Sequence, residues 1–573
     1  MTTKPSSFRK PLPVPTHSGF VSAKFAPTRW GNHFLSVDND LIDRDFQGTA
    51  LPPALQSEYE ILKRDVRKMV IAAGSRDEES VKHKLRLIDQ VQRLGVGYHF
   101  ESEIEDALGE VLALGEEFID KNDLYHVTLR FRLLRQQGFH VSPDGLKEFK
   151  DSEGNFKSSL VSDEHGVLSL YEAAHLAVHG EDILDEALAF ATETLGAIIY
   201  RENFWVHKQV NFSLSLPIWK CDPRTLARSY IDIISEHDES HETFPNNELL
   251  RFAKLDFNVL QKCHQRELCH LFKWWGCLEV PTRFPYARDR IMECYYWINS
   301  VYYEQKFHSA RIILTKIRAV VSLIDDTFHN FGKYEDLEIL TKAIRRFDIS
   351  AIEELPEKMK EIYRVMINLY DDIEVEVGNN GSSFGVDYAK EELKKLCELY
   401  LVEVSWRDDR RIPTMEEYMM VSYQTSGYPM LCTSAFLGMG VETATEHAFE
   451  WVTSFPKMVK AISIIGRLQN DLVSPRYELN RKYVPSAVEC YMAENGCPKK
   501  EAMDFLWGEI SKAWKDIAEE IHKPTPLPVI LTDRVLNFGR SNSIMYGFDK
   551  DCYTDSYMLQ EHLGLLFVHP MEI

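Results

Sequence analysis

The chain of 573 residues contains no apolar run long enough to cross a bilayer, and its N-terminus lacks the basic-then-apolar pattern of a secretory signal. Positive charge is also scarce. The 88 acidic residues exceed the 66 Lys and Arg residues and give a net charge of −22. This balance argues against nucleic acid or an anionic membrane as the main partner. None of the ten cysteines precedes Cys221, and we expect reduced thiols in an intracellular protein.

Several motifs that would define an enzyme class are missing. The sequence has no Rossmann fingerprint and no Gly-x-Ser-x-Gly elbow. The stretch GNNGSSFG at 378–385 lacks the Lys-Ser/Thr ending of a phosphate loop, and no predicted strand precedes it. The β-branched alternation that is typical of a sheet is also absent. These absences leave an all-helical protein as the expected fold class.

Helical periodicity dominates from about residue 57 onward. In EDILDEALAFATETLGAI, for example, Ile183, Leu184, Ala187, Leu188 and Ala191 fall on one stripe. A chain of this length exceeds one ordinary core, and a long polar segment lies near its middle at 237–248. We therefore predict two stacked helical domains, with a flexible N-terminal arm at 1–25, an N-terminal domain at 26–240 and a C-terminal domain at 241–573.

Three groups of polar residues indicate chemistry in the C-terminal half. The first is VSLIDDTFHNF, where an apolar helix ends in Asp325 and Asp326 and His329 follows one turn later. Unpaired carboxylates at the end of a buried helix would be costly, so a cation must meet them. A solvent-facing acidic pair is the alternative for this motif taken alone.

The second group lies in IIGRLQNDLVSPRYE. Asn470, Ser474 and Glu478 are spaced by four, which places three oxygen-bearing side chains on one helical face, and Arg467 lies close to that face. Oxygen ligands on two helices beside an arginine suggest Mg²⁺ bridged to a phosphate, because Mg²⁺ binds few side-chain oxygens and completes its shell with water and phosphate. A solvated helix face is the alternative.

The third group is YARDRIMECYYW, where Arg288 and Arg290 flank Asp289. Arginine stays ionised and binds phosphate in a fork, so this pair suits an anion released beside metal ions. A surface salt-bridge cluster is the alternative.

Together the three groups resemble the plant terpene synthases, specifically the angiosperm sesquiterpene synthases. DDTFH matches the family's aspartate-rich motif, NDLVSPRYE its second metal motif and RDR its Arg-x-Arg motif, in the family's order and spacing. The likeness runs from WGNHFL at 30–35 to DCYT at 551–554. It implies a C-terminal class I terpenoid synthase bundle with the active site in its central cavity, and an N-terminal relic helical barrel without a catalytic role.

The resemblance also implies roles for individual residues. Three Mg²⁺ ions, or Mn²⁺ in their place, are expected around a prenyl diphosphate that Arg288, Arg290, Arg467 and Asp325 would bind. The implied metal ligands are Asp325, Asp326, His329, Asn470, Ser474 and Glu478. Trp297, Tyr546 and Tyr553 match pocket aromatics, and Asp551 matches an acidic pocket residue; plain core packing is the alternative for the aromatics. TSGYP at 425–429 matches the family's broken helix, and Gly427 and Pro429 give a local reason for the break.

The sequence departs from the family pattern at His329, which stands where the third aspartate of the first motif is expected. Imidazole is a poorer Mg²⁺ ligand than carboxylate, so we expect reduced Mg²⁺ affinity or a shift toward Mn²⁺. The tandem-arginine motif before Trp30 is also absent, since only Arg29 stands next to Trp30 and Arg9 is too far upstream. In the family that motif goes with monoterpene cyclisation in plastids, so its absence implies a cytosolic enzyme that acts on farnesyl diphosphate.

The resemblance thus predicts a Mg²⁺-dependent sesquiterpene synthase that ionises farnesyl diphosphate, converts the carbocation to a sesquiterpene hydrocarbon or alcohol and releases diphosphate. The expected enzyme is a cytoplasmic monomer with a small-molecule substrate, no nucleic acid partner and no membrane span. The alternative is a catalytically impaired paralogue, with His329 in place of the aspartate, that binds prenyl diphosphate without efficient turnover.

Overall fold

The computed structural model describes residues 25–36, 52–72, 77–115, 118–198, 205–236, 246–378, 383–474, 484–547 and 549–573. Within these ranges the regular secondary structure is helical, and the β-pairing is limited to one bridge between Lys150 and Phe156. The all-α prediction is confirmed. The predicted N-terminal arm, residues 1–25, lies outside the described residues except for Phe25.

Amphipathic stripes build the helices of the first part of the chain. The predicted stripe is confirmed: Leu184, Ala187 and Ala191 are buried, and Ile183 and Leu188 are half-buried. The helices of this part are α1 (Pro53–Ile71), α2 (Glu78–Arg93), α3 (Glu101–Leu114), α4 (Leu124–Gln136), α5 (Glu164–Ala174), α6 (Asp182–Ile198), α7 (Trp205–Ser215) and α8 (Pro223–Ser235).

The second part of the chain is also helical. Its helices are α9 (Asn247–Cys277), α10 (Val280–Arg283), α11 (Ile291–Val301), α12 (His308–Asp326), α13 (Tyr334–Arg346), α14 (Glu357–Gly378), α15 (Phe384–Asp409), α16 (Met415–Thr425), α17 (Tyr428–Ala435), α18 (Glu446–Thr453), α19 (Lys457–Val473), α20 (Ala487–Asn495), α21 (Lys499–Glu520), α22 (Val529–Met545) and α23 (Gln560–Phe567).

Five of these helices form a closed ring. Helix α11 packs on α12, α12 on α17, α17 on α19, α19 on α22, and α22 packs back on α11. Helix α15 packs against α17. Side chains that point inward from these helices share one interior, and this interior contains most of the candidate site residues.

Helix α9 joins the two parts of the chain. Its Asp256 is buried and accepts hydrogen bonds from Tyr59 of α1 at 2.8 Å and from Tyr98 at 2.9 Å, while His99 Nε2 lies 2.8 Å from the same oxygen. The loop predicted at 237–248 ends earlier than expected, because Asn246 caps α9 with a side-chain hydrogen bond to the backbone N–H of Leu249. Residues 237–245 lie outside the described residues, so the domain boundary at 240 stays a prediction.

Candidate active site

The acidic pair lies at the end of α12, as predicted. The helix carries a continuous buried apolar surface and ends at Asp326, which is fully buried, whereas the side chain of Asp325 is 29% exposed. A single π-helical turn, Thr327–Phe331, follows and returns Asn330 toward the pair, so that its side-chain N–H group donates to Asp326 Oδ1 at 2.8 Å. Asp325 is therefore the more accessible of the two carboxylates.

Arg288 is the cation that meets this pair. Its backbone N–H and its Nε donate to Asp326 Oδ2 at 2.8 and 3.2 Å, and its Nη2 donates to Asp325 Oδ2 at 2.6 Å. Its Nη1 donates to the Thr554 hydroxyl at 3.3 Å. The first and third sequence groups are thus brought together, and one guanidinium bridges both aspartates.

The surroundings shift the pKa values of the two aspartates in opposite directions. Burial alone would raise the pKa of Asp325, but His329 and Arg288 outweigh it and hold the pKa well below its ordinary value. Burial raises the pKa of Asp326; the Asp325 charge adds to this rise, and Arg288 opposes it. Asp325 is therefore the more acidic of the two neighbouring carboxyl groups.

His329 lies between two carboxylates. Its Nδ1 is 3.0 Å from Asp325 Oδ1, and its Nε2 is 3.1 Å from Glu403 Oε2 on α15. Burial alone would lower the pKa of His329, but the two carboxylates outweigh it and raise the pKa to about 9. An imidazolium has no lone pair for a metal, so ligation by His329 would require the ring to lose a proton and one of its carboxylate contacts. Its role as a metal ligand stays a prediction.

The second sequence group is only partly helical. Helix α19 ends at Val473, and Ser474 has extended backbone with φ −76° and ψ 123°. The prediction that Asn470 and Ser474 share one helical face is therefore wrong. The residue after Ser474 is Pro475 in the sequence, and proline disfavours helical backbone in the residue before it. Glu478 lies outside the described residues.

A chain of contacts links this group to the acidic pair. Arg467 of α19 donates to the Thr425 hydroxyl at 3.1 Å, and that hydroxyl donates to Glu403 at 2.5 Å. Glu403 in turn contacts His329, and His329 contacts Asp325. Thr425 ends α16, and Gly427, with φ +81°, separates it from α17, so the predicted helix break is confirmed.

Arg290 differs from Arg288 in its partners. It is 1% exposed and donates to four backbone carbonyls: Ala26 at 2.8 Å, Asp289 at 2.9 Å, and Tyr553 and Thr554 at 3.0 Å each. These bonds attach the segments at 26 and 553–554 to the start of α11. Its predicted contact with diphosphate stays a prediction, and the observed contacts anchor backbone.

The predicted aromatics meet inside the ring of helices. The Trp297 ring centroid lies 6.1 Å from that of Tyr546 and 5.8 Å from that of Tyr553, both in edge-to-face geometry. Asp551 accepts hydrogen bonds from the backbone N–H groups of Tyr553 and Thr554 and from the Thr554 hydroxyl at 2.7 Å. Asp551 therefore shapes the loop that brings Thr554 to Arg288.

Sequence reasoning missed two charged residues of this site. Glu403 stands alone in the apolar stretch LYLVEVSW, and Arg318 stands in TKIRAVVSLI. Glu403 is 3% exposed, and the Arg318 guanidinium lies over the rings of Trp297 and Tyr553. A charged residue inside an apolar helical stretch is the signal that could have identified both, because buried charges are rare without a partner or a function.

The donor set fits a hard divalent cation. Asp325 is ionised and partly exposed, and each carboxylate oxygen can accept more than one contact. Amide and hydroxyl oxygens of Asn470 and Ser474, both half-buried, are of the type that such a cation accepts. A separate cavity of about 520 Å³ between α2, α3 and α22 contains none of the candidate site residues.

Comparison with known proteins gives consistent matches. Residues 29–214 match the family model described as terpene synthase, N-terminal domain, and residues 277–516 match the terpene synthase family, metal binding domain. The chain is 45% identical over 552 residues to a (-)-germacrene D synthase of Vitis vinifera, with 96% of each chain covered. It is 41% identical over 557 residues to an (E)-beta-farnesene synthase of Citrus junos, again with 96% of each chain covered.

Solved structures agree with this assignment. Isoprene synthase from grey poplar leaves, in complex with three Mg²⁺ ions and dimethylallyl-S-thiolodiphosphate, superposes with a TM-score of 0.83 at 29% identity and covers 91% of this chain and 98% of that chain. Limonene synthase with 2-fluorolinalyl diphosphate superposes with a TM-score of 0.86 at 28% identity and covers 96% of this chain and 99% of that chain. The chain therefore belongs to the plant terpene synthase family and is a class I terpene synthase, a lyase that acts on prenyl diphosphates with a divalent metal cofactor.

Proposed function

We propose that this terpene synthase is a sesquiterpene synthase, which converts farnesyl diphosphate to a sesquiterpene hydrocarbon or alcohol and releases diphosphate. The names of the two plant relatives support this substrate class. The observation that carries the proposal is the position of Arg288, which bridges Asp325 and Asp326 and lies 5.0 Å from the ring centroid of Tyr553. A charged end for a diphosphate thus adjoins an aromatic interior for a hydrocarbon chain.

The metal requirement is proposed to be three Mg²⁺ ions, with Mn²⁺ as a substitute. Asp325 and Asp326 would hold metal at one side, and Asn470 and Ser474 at the other, with Glu478 as a further predicted ligand. His329 would join them only after it leaves a carboxylate. When bound, Mg²⁺ neutralises diphosphate charge and makes the diphosphate a better leaving group.

The chain's own residues bind the anion and favour its departure. Arg288 and Arg467 are the arginines whose side chains lie at the acidic pair and at the helix break, with 15% and 12% side-chain exposure. Both offer fixed positive charge to oxygens that gain negative charge as the carbon–oxygen bond breaks. Arg290, held by four carbonyls, fixes the backbone of Tyr553 and Thr554 beside them.

The interior protects the carbocation that remains. Trp297 and Tyr553 are 3% exposed, and Tyr428 of α17 is equally buried. Buried aromatic walls exclude the water that would quench a carbocation, and their faces stabilise positive charge. The product therefore depends on the shape and charge of this interior.

Cellular location and oligomeric state are two further predictions that accompany the proposal. None of the described helices has the length and apolar content to cross a membrane. A cytoplasmic location and a monomeric state stay predictions. The impaired-paralogue alternative has no support in the matches reported above.

The test is incubation of purified protein with farnesyl or geranyl diphosphate and Mg²⁺ or Mn²⁺, with products identified by gas chromatography–mass spectrometry. We expect C15 products from farnesyl diphosphate at a higher kcat/KM than C10 products from geranyl diphosphate. A preference for geranyl diphosphate would overturn the sesquiterpene assignment. Folded protein that produces nothing with either metal would favour the impaired paralogue.

A further inference from the structure

Arg318 lies on α12, seven residues before Asp325. Seven residues are almost two full helical turns, so the two residues share one face of the helix. The Arg318 side chain is half-buried, and its guanidinium carbon lies 4.7 Å from the ring centroid of Trp297 and 4.7 Å from that of Tyr553. Arg318 therefore extends into the interior of the ring of helices, beside two of the predicted pocket aromatics.

The ring of Tyr553 connects Arg318 with the acidic pair. The guanidinium carbon of Arg288, the arginine that bridges this pair, lies 5.0 Å from the centroid of the same ring. The ring is fixed there, because the Tyr553 hydroxyl donates to Ser322 of α12 at 2.6 Å. Burial alone would raise the pKa of Asp325, but Arg318 is among the neighbouring cations that outweigh burial and lower it. The two guanidinium groups thus lie at the same end of the interior.

Arg318 differs from the fully buried Arg311 of the same helix in having no anionic partner. Arg311 donates two hydrogen bonds to Glu267, at 2.6 and 2.7 Å, whereas no hydrogen bond or ion pair reaches Arg318 from the described residues. Within the same ranges, no nitrogen atom of Arg318 is both enclosed and unpartnered. A guanidinium that lies over ring faces keeps its N–H donors at its edge, so the donors of Arg318 are open to the cavity.

An arginine in this position favours an anionic ligand. Arginine stays ionised inside a protein, and a partly buried charge without a partner is costly. The oxygens of Asp325 contact Arg288 and His329 instead of Arg318. Phosphate oxygens match the fork of a guanidinium, and a prenyl diphosphate bound at the acidic pair would bring such oxygens close to Arg318.

We propose that Arg318 is a further substrate-binding residue, which binds oxygens of the diphosphate together with Arg288. This inference deepens the proposed function and rests on it for the position of the diphosphate. When the carbon–oxygen bond of the substrate breaks, its electron pair leaves with the diphosphate, whose oxygens gain negative charge beside Arg318. Arg318 thus binds both the substrate and the released diphosphate through the same oxygens.

The test measures the binding of inorganic diphosphate in the presence of Mg²⁺ by isothermal titration calorimetry. R318M keeps an unbranched side chain of similar length without the charge, and R318K keeps the charge without the fork. K316M removes a lysine of the same helix that lies over Trp274, and serves as the control. We expect the Kd of diphosphate to rise about tenfold in R318M, to rise less in R318K and to stay unchanged in K316M.

Inorganic diphosphate separates this role from an effect of Arg318 on cavity shape. The probe has no hydrocarbon chain, so a residue that only shapes the hydrocarbon part of the cavity would leave the Kd of diphosphate unchanged. We expect the KM for farnesyl diphosphate to rise in R318M by about the same factor as this Kd, because both ligands present the same oxygens. If R318M does not fold, as judged by circular dichroism, R318Q is measured in its place with the same expectation.

The outcomes distinguish this inference from the proposed function. An equal Kd of diphosphate for the wild type and folded R318M, or an equal rise in K316M and R318M, would overturn the inference and leave the proposed function intact. Weaker binding of diphosphate by R318M alone, from a wild type that does not turn over farnesyl diphosphate, would support the inference and contradict the sesquiterpene assignment.

Discussion

The Nε2 atom of His329 lies 3.1 Å from the Oε2 atom of Glu403, on the side of the ring opposite to Asp325. The histidine that stands in place of a motif aspartate has therefore acquired a second, buried carboxylate as its partner. The contact places positive charge between two negative groups and connects the end of α12 to α15. It also extends through Thr425 to Arg467, so the two sequence groups form one network.

Loss of the Glu403 charge should weaken metal binding at the acidic pair. In E403Q, a buried negative charge beside His329 and Arg467 is removed, so the positive charge of Arg467 near the site is less offset and disfavours a metal cation. We expect the Mg²⁺ concentration for half-maximal activity to rise about tenfold, as for other residues that orient metal ligands. E398Q on the same helix, where the carboxylate pairs with Arg345 at the surface, is the control. Equal Mg²⁺ dependence of E403Q and the wild type would contradict this role.

Restoring the family's aspartate should have two effects. In H329D, a carboxylate replaces the imidazole, so we expect less Mg²⁺ to be needed for half-maximal activity. Without metal, the new carboxylate faces Glu403 and Asp325, and like charges at this distance destabilise the folded state. Thermal unfolding should therefore show a lower Tm for H329D without Mg²⁺ and recovery with it. A higher Mg²⁺ requirement in H329D would contradict the expectation for His329.

The two arginines of the third group should respond differently to substitution. R288M removes the cation shared by Asp325 and Asp326, and we expect kcat/KM of the folded variant to fall by at least about 100-fold, with a lower Tm in the absence of Mg²⁺. R290M leaves four backbone carbonyls without their donor, one of them in a fully buried hydrogen bond, which should lower the free energy of unfolding by about 2 kcal/mol. Measurements of kcat/KM and of chemical denaturation on both variants test this difference between the two arginines. A stable, inactive R290M would instead support direct diphosphate binding by Arg290.

Glu293 on α11 gives a pH-dependent prediction for stability. Burial raises the pKa of Glu293 to about 7, although Arg290 opposes the rise. Because the folded-state pKa exceeds the unfolded-state value, the contribution of Glu293 to stability is full below about pH 4.5 and is lost as the pH rises through 7. The free energy of unfolding of E293Q, measured with urea, should therefore rise by about 2 kcal/mol relative to that of the wild type between pH 5 and pH 8. A difference in free energy of unfolding between E293Q and the wild type that stays constant with pH would contradict this pKa.

The sequence predicted the parts of the fold that periodicity controls. The stripe on α6, the acidic end of α12 and the break at Gly427 depend on residues within a few positions of one another, and the structure confirms them. The spacing of four predicted a helix that continues through Ser474, but Pro475 disfavours helical backbone there and the helix ends at Val473. Glu403 and Arg318 were missed because their functional contacts lie on other helices.

Long-range contacts also changed the interpretation of the third group. Arg288 and Arg290 look equivalent in the sequence, but they differ in exposure and partners. The partners of Arg290 are carbonyls at 26, 289, 553 and 554, and no local pattern near residue 290 indicates the distant three. Fold class and motif positions thus follow from local sequence, whereas the different roles of two similar residues can be recognised only from their tertiary contacts.

The most direct test of the central claim measures turnover of farnesyl diphosphate with Mg²⁺ by the wild type and by D325N. Volatile products and free diphosphate are quantified in the same reaction. We predict C15 products and diphosphate in equal amounts from the wild type, and turnover at least about 100-fold lower in D325N with unchanged folding. No products from the folded wild type, or equal turnover by D325N, would contradict the assignment of this site as the place where the prenyl diphosphate is ionised.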